Sequence, residues 1–345
     1  MGEAHRLSVV AAAYNVQKEI GLLLESLWNS EFKDFEVCIC DDQSQDDTLK
    51  VIRSYAGRLD IRLTVNEVNR GVTYSRNQAS RLAQSPLLLF LDADVRIYPD
   101  TMTRLLETQE RTQADVVEGI YSPVALDGGV FSRYYALFVH HSFLISQQPV
   151  EYNVFNGWCA LCRREVIAQT GGHEVIEKGM EIENEALGRR IVASGFTLLL
   201  DPSVFVDHHW GGYRKLVFIF TRRVYWWVKI FFSTGCHFEA ALTTPSYALS
   251  TLCLPLAVVA GALAGRNPIG WTISVLFLLF FLAGYGPFYK FVLKRQGVAY
   301  SCLAALLSMY FAFLAVGSAA YSGIEEIVKK ILLGNFTLDP ELFQA

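Results

Sequence analysis

Two pairs of acidic residues and one pair of histidines are the side chains in this 345-residue sequence whose spacing could do chemistry. Asp92 and Asp94 stand two apart, directly after the apolar run Leu87 to Leu91. Carboxylates leaving a strand at that spacing can reach one divalent ion or a ribose. An ion held in this way stabilises the negative charge that develops on a departing diphosphate. The alternative for Asp92-Ala93-Asp94 is a helix cap before Pro99. Asp41-Asp42 closes a second apolar run, Phe35 to Cys40. Asp207-His208-His209-Trp210 ends the last strand-like run before the composition changes. Neighbours on an extended chain point to opposite sides, so only one of His208 and His209 can face a site there. Arg222 and Arg223 could meet phosphate oxygens or anionic headgroups. Among the seven cysteines, Cys159-x-x-Cys162 alone has metal-like spacing. It lacks a second pair or a paired histidine, and Ala160-Leu161 between them reads as core strand in a reduced interior.

These residues sit at the ends of alternating strands and helices. Leu7 to Ala13 is uncharged and apolar, as expected of a buried parallel strand. Ile20, Leu23, Leu24, Leu27 and Trp28 then recur with helical period. Phe35 to Cys40 and Ile61 to Val65 read as strands, with helices from Asp47 and from about Thr73, and Pro86 opens the strand Leu87 to Leu91. Repeated β-α units predict an α/β domain with a mainly parallel sheet covered by helices on both faces. Ligands bind beyond the carboxyl ends of such strands, where both acidic pairs lie.

From Lys215 the character changes. Residues 215–240 are aromatic and apolar but carry Arg222, Arg223 and Lys229, which suits an interfacial helix with Trp226 and Trp227 at headgroup depth. Three apolar stretches follow within 241–322: Tyr247 to Ala264, Ile269 to Gly286 and Val298 to Tyr321. Each approaches the roughly 20 residues that cross a bilayer core. The link at Lys290, Lys294 and Arg295 is more basic than the one at Arg266, which places it, and residues 1–214, on the cytoplasmic face. The first residues lead straight into a strand with no apolar signal stretch, which agrees. Residues 323–345 read as a tail of undetermined side, and the apolar helices offer a surface for self-association. A net charge of −4 without a Lys/Arg run gives no support for nucleic acid as a partner, and none is expected.

The order of the segments is more specific than any one of them. Val9 to Asn15, Asp41 to Thr48 (with Gln43 in place of a glycine), Asn69-Arg70-Gly71, Ser75-Arg76-Asn77 and Phe90 to Asp94 resemble family-2 glycosyltransferases of the GT-A fold. The resemblance runs over roughly Leu7 to His209. It implies a Rossmann-like catalytic domain that uses a nucleotide-diphosphate sugar and inverts the anomeric centre. It also implies Mg²⁺ or Mn²⁺ on Asp92 and Asp94, completed by His208 or His209, with Asp92 beside the donor as well. On the donor side it implies Asp42 against the nucleobase, with Tyr14, Asn15, Glu19, Arg70 and Arg76 nearby.

Asn156-Gly157-Trp158, Arg163-Arg164-Glu165 and Gly171-Gly172 are similar to the family's acceptor half. The next segment departs from it: Glu183-Asn184-Glu185-Ala186-Leu187-Gly188-Arg189-Arg190 carries Asn184 where the family places an aspartate base. An amide takes no proton at neutral pH. Glu183, on one helix face with Leu187 and Ile191, is the expected substitute, while Glu181 and Glu185 read as solvated charges. An acceptor phosphate, mostly ionised at pH 7, would need no base. The apolar helices resemble those of polyprenyl-phosphate glycosyltransferases, so that lipid is the expected acceptor, with Trp158, Arg190, Arg222 and Arg223 toward it. A hydroxyl on a lipid-linked saccharide with Glu183 as base is the alternative, and a non-catalytic membrane scaffold a further one. Phe218 to Trp227 lacks the Gln-x-x-Arg-Trp of processive synthases, which favours transfer of a single sugar.

Overall fold

The computed structural model describes residues 5–144, 146–174, 182–235, 245–265 and 267–338. They form two compact units. The described part of the first comprises residues 5–126, 146–174 and 182–209; that of the second comprises 127–144 and the described residues from Trp210 on.

In the first unit, the apolar runs become strands that hydrogen-bond in register. The elements are β1 (Leu7–Ala13), α1 (Ile20–Trp28), β2 (Phe35–Asp41), α2 (Thr48–Ser54), β3 (Ile61–Val65), α3 (Val72–Leu82), β4 (Leu87–Leu91), β5 (Val95–Ile97), α4 (Thr101–Thr112) and β6 (Val116–Ala125). After the segment that belongs to the second unit come β7 (Val150–Glu151), β8 (Cys159–Arg163), α6 (Arg164–Thr170), α7 (Glu183–Ala193) and β9 (Leu198–His208). The sheet order is β3-β2-β1-β4-β8-β6-β9-β5, with β7 beside β9. Strands β1 to β4 are mutually parallel, as is the pair β6/β9. Strand β8 runs antiparallel between β4 and β6, and β5 and β7 run antiparallel to β9. The sheet is therefore more mixed than the β-α repeat predicts. An apolar run such as Cys159–Arg163 carries no signal of direction.

The stripe Ile20, Leu23, Leu24 and Leu27 of α1 is fully buried, each side chain contributing about 1.5–3 kcal/mol of hydrophobic stabilisation. Trp28, expected on that stripe, is exposed instead and carries Lys33 over its ring. Cys159 and Cys162 are buried on β8, and desolvation pushes the Cys159 thiol up to about 12, so this pair belongs to the core.

The second unit is helical: α5 (Val130–Phe143), α8 (Gly212–Phe218), a π-helical turn Ile219–Arg223, α9 (Val224–Ser233), α10 (Pro245–Leu263) and α11 (Ile269–Leu333). Helix α11 breaks at Gly297, whose φ of 81° is open to glycine but strained for other residues. Ser301 Oγ donates to Tyr289 O at 3.2 Å across that break. Twelve residues of straight helix would hold those atoms about 18 Å apart, so the chain reverses and α11 is two antiparallel arms. Phe288 on one arm and Phe311 on the other both pack on Tyr134 of α5, with centroids 5.9 and 5.7 Å away. Helices α10 and α11 are long and apolar enough to cross a membrane by length and composition.

Three expectations change here. Residues 127–144 are not part of the sheet unit, so the boundary at 214 does not separate two continuous domains. Lys229 is not an interfacial charge but is wholly buried, 2.6 Å from Glu326. Residues 323–333 are not a tail; they continue α11. Residues 236–244, Arg266 and 339–345 lie outside the described residues.

Candidate functional site

Strands β1, β2 and β4 end side by side, and the turns that follow them carry the site. Asn15, after β1, has φ 51°; its N–H donates to Ser44 Oγ (3.0 Å) and its Oδ1 accepts the Gln45 N–H (2.7 Å). After β2, Gln43 has φ 63°. The backbone there is left-handed, which accounts for the glycine that the resembling family carries at this point. The Gln43 amide compensates by donating to Glu67 O at 2.6 Å. Asp42 is buried and both its oxygens are engaged: Oδ1 accepts from Asn66 Nδ2 and the Arg70 N–H, and Oδ2 from the Gly71 N–H. Through these bonds Asp42 clamps the loop that starts α3. Tyr14 and Arg70 are exposed, Arg70 over the ring of Tyr74.

After β4 the chain makes Asp92-Ala93-Asp94 and turns into β5, which pairs with β9 so that Val95 lies opposite His208. That pairing brings one donor atom each from Asp92, Asp94 and His208 within 4.8 Å of one another. His208 Nε2 is 3.3 Å from Asp94 Oδ1. His209 points elsewhere: its Nε2 lies 3.9 Å from Glu19 Oε1, while its N–H donates to Asp94 O. His208 is thus the histidine that joins the aspartates. Two carboxylates and an imidazole are a donor set suited to one divalent ion, whose bonds of about 2.1 Å would draw the three atoms to within about 3–3.5 Å of one another.

Around the cluster stand residues that the motifs did not single out. Asp207, fully buried, accepts hydrogen bonds from Arg96, Tyr98 Oη and Ser122 Oγ, and so ties β5, β6 and β9 together one residue before His208. Glu118 on β6 is also fully buried. Desolvation raises its pKa well above the ordinary carboxyl value, and it accepts from the Asn156 N–H (2.7 Å) and Nδ2 (2.8 Å), fixing the turn into Gly157-Trp158. Trp158 is buried, stacked on Tyr121 at 4.4 Å, and Tyr121 lies 4.7 Å from the ring of His208. Trp158 thus packs on the ring that adjoins His208.

Arg76 is buried and ion-paired with Asp92. A Cβ on Gly157 would come within 2.9 Å of its Cζ, so the guanidinium needs glycine there. Asp92, then Glu183 and Tyr121, hold its pKa up against desolvation, which is the largest influence and acts the other way. Asn77, next on α3, donates to His173 O (2.6 Å) and accepts the His173 N–H (2.9 Å). The ring of His173 is packed between Phe90 and Phe155, and desolvation, with Arg76 and Arg190 nearby, lowers its pKa well below 6.5.

Helix α7 begins at Glu183, half-buried, with Asn184 buried and its main-chain oxygen accepting the Phe155 N–H at 2.9 Å. Glu185, expected in solvent, is buried. Arg190 donates to Gly172 O (2.6 Å) and Glu174 (3.1 Å), tying α7 to residues 172–174. Glu181 lies outside the described residues. Arg222 and Arg223 belong to the π-helical turn of the second unit, with Arg222 over the rings of Tyr225 and Trp226 and Arg223 over that of Trp227.

Residues 8–171 match the family described as glycosyl transferase family 2. The Bacillus subtilis (strain 168) protein described as uncharacterized glycosyltransferase YfnE is 32% identical over 117 residues, 34% of this chain and 30% of that protein. The Escherichia coli UDP-Glc:alpha-D-GlcNAc-diphosphoundecaprenol beta-1,3-glucosyltransferase WfaP is 25% identical over 198 residues, 55% of this chain and 71% of that protein. The chain spans less than half the length of the curated relatives it matches first. Among solved structures, the mannosyltransferase PcManGT of Pyrobaculum calidifontis, in complex with GDP-Man and Mn²⁺, superposes with a TM-score of 0.57 at 18% identity, covering 96% of this chain and 88% of that one. At that identity the likeness speaks for the GT-A fold.

Proposed function

We propose that this chain, a member of glycosyl transferase family 2 through residues 8–171, moves one sugar with inversion from a nucleotide-diphosphate sugar to a lipid-borne acceptor. The observation that carries this reading is the Asp92, Asp94 and His208 cluster beside the carboxyl ends of parallel strands. When bound, a divalent ion there supplies positive charge for the diphosphate that departs. The imidazole nitrogen among the donors favours Mn²⁺ over Mg²⁺, which prefers an all-oxygen shell. Arg76 holds Asp92, and Asp207 and Tyr121 hold His208, so the donors are oriented before the ligand arrives. A passive scaffold has no need of such a cluster.

The acceptor in this reading is a polyprenyl phosphate. Asn184 stands at the position of the family's base and cannot take a proton, whereas an ionised phosphate needs none. The apolar helices α10 and α11 hold the enzyme at the bilayer, its sheet unit on the cytoplasmic face. Lys290, Lys294 and Arg295, all exposed, cluster before the reversal at Gly297, as positive-inside charges do. A second reading, a hydroxyl of a lipid-linked saccharide, is favoured by WfaP's named acceptor and by Glu183 at the start of α7.

Product analysis separates them. Membranes containing the protein, supplied with Mn²⁺ and a panel of nucleotide sugars, should yield a lipid with the sugar in a phosphodiester link, and Glu183→Gln should lower the rate only modestly. A glycosidic bond to a hydroxyl, with a loss of about 10²–10⁴ in Glu183→Gln, would establish the second reading. Full turnover in excess chelator, or in Asp94→Ala, would remove the metal from both.

A further inference from the structure

Past the apolar span that the sequence ends at Tyr321, α11 continues to Leu333 with its two faces sharply divided. On one face stand Ile324, Ile327, Val328, Ile331 and Leu332, exposed by 64, 49, 45, 75 and 74%. Their spacing is that of a single helical stripe. The acidic residues interleaved with them turn onto the protein. Glu326 is wholly buried against Lys229 at 2.6 Å. Glu325 accepts from Tyr225 Oη (2.6 Å) and pairs with Lys229 (3.2 Å) and Lys329 (2.9 Å). Lys329 also donates to Thr337 Oγ1, and Lys330, in the last turn, donates to Gly334 O over the ring of Phe336. Ser318 and Ser322, on the inward side, donate to Thr221 O and Tyr225 O.

We infer that lipid acyl chains cover this stripe, so that the bilayer contact of the third apolar arm extends through Leu333. A protein partner is met through an apolar centre with a polar rim. Here Glu325 and Glu326 are paired with Lys229, as hydrocarbon surroundings demand, and the exposed Lys330 stands only at the last turn. The stripe is also continuous along one helix with the apolar arm above it. At 1.5 Å per residue the arm 298–333 is about 54 Å long, longer than the roughly 30 Å core, so its last turns run along the interface, with the stripe against the acyl boundary and Lys330 at headgroup level.

The inference rests on the membrane part of the proposed function and not on the reaction. Photoreactive benzoylphenylalanine is placed singly at Ile324, Ile327 or Ile331 of the full chain, reconstituted in phosphatidylcholine–phosphatidylglycerol vesicles. Val259 of α10, 56% exposed, and Arg53 of α2, exposed on the sheet unit, serve as the lipid-facing and water-facing references. Mass spectrometry after irradiation should find phospholipid adducts at all three positions and at Val259, and none at Arg53. Adducts at Val259 alone would overturn the inference while leaving the membrane anchor intact. Covalent dimers at the three positions would assign the stripe to a second copy. Absence of lipid adducts at Val259 as well would overturn both.

Discussion

Asp207 offers no surface to solvent, yet Arg96, Tyr98 and Ser122 all donate to it, and the residue after it completes the aspartate cluster. Its charge is consumed in fixing where β9 ends relative to β5. Asp207→Asn keeps the shape but replaces one acceptor oxygen with a donor. Titration calorimetry should then find Mn²⁺ bound about 10- to 100-fold more weakly, the usual cost of disturbing a ligand's support. An unchanged affinity would show that His208 holds its place unaided. His173 supplies a second prediction. Its folded pKa is depressed below 6.5, so the unfolded chain binds the extra proton. Stability is therefore present above the unfolded value and lost as pH falls below about 6.5, at up to ~1.4 kcal/mol per pH unit. Relative to wild type, His173→Phe should flatten the fall of denaturant midpoint between pH 6.5 and 5; parallel curves would exclude the histidine as the cause. Asp92 and Asp94 are legible in sequence because an apolar strand announces them. Asp207 and Glu118 are not, since a buried carboxylate is recognised by partners as far as 111 and 38 residues away.

At the level of elements, one glycine decides how closely parts of the site approach. A Cβ on Gly188 of α7 would meet Asn153 O, Val154 Cα and the Phe155 N at 2.5 Å, and all three are backbone. The same stretch donates the Phe155 N–H to Asn184 O, so main chain meets main chain where α7 docks on it. Gly188→Ala should cost about 1–3 kcal/mol or more, because backbone cannot yield as a side chain does. A melting temperature equal to wild type would show that the helix slides freely. The helical face of α1 is plain from its period, whereas the burial of Glu185 on α7 is not. A short helix of mixed composition, ENEALGRRIVA, does not say which of its charged sides is covered. Strand β8 illustrates the same limit. Its apolarity is readable, but its antiparallel placement between β4 and β6 follows from how the chain returns to the sheet, which no local pattern records.

Across the whole chain, composition locates the apolar helices because their residues are of one kind over long runs, but it misplaces the boundary before them. Helix α5 sits in sequence between strands of the sheet, yet its Tyr134, Tyr135 and Phe138 pack on Phe220, Phe288 and Phe311 of the second unit. Its own period is weakly amphipathic, so nothing local marks it as belonging elsewhere. No single cut therefore frees the sheet unit. Ended at Arg214, the chain would carry a helix stripped of Phe220, Phe288 and Phe311, and it should sediment with aggregates or detergent micelles instead of running as a soluble monomer. Soluble, monomeric protein on size exclusion would contradict this. During synthesis the same arrangement imposes an order. Residues 127–144 emerge from the ribosome well before α10 and α11 exist, so the ring-bearing side of α5 stays uncovered until the rest of the chain arrives to claim it.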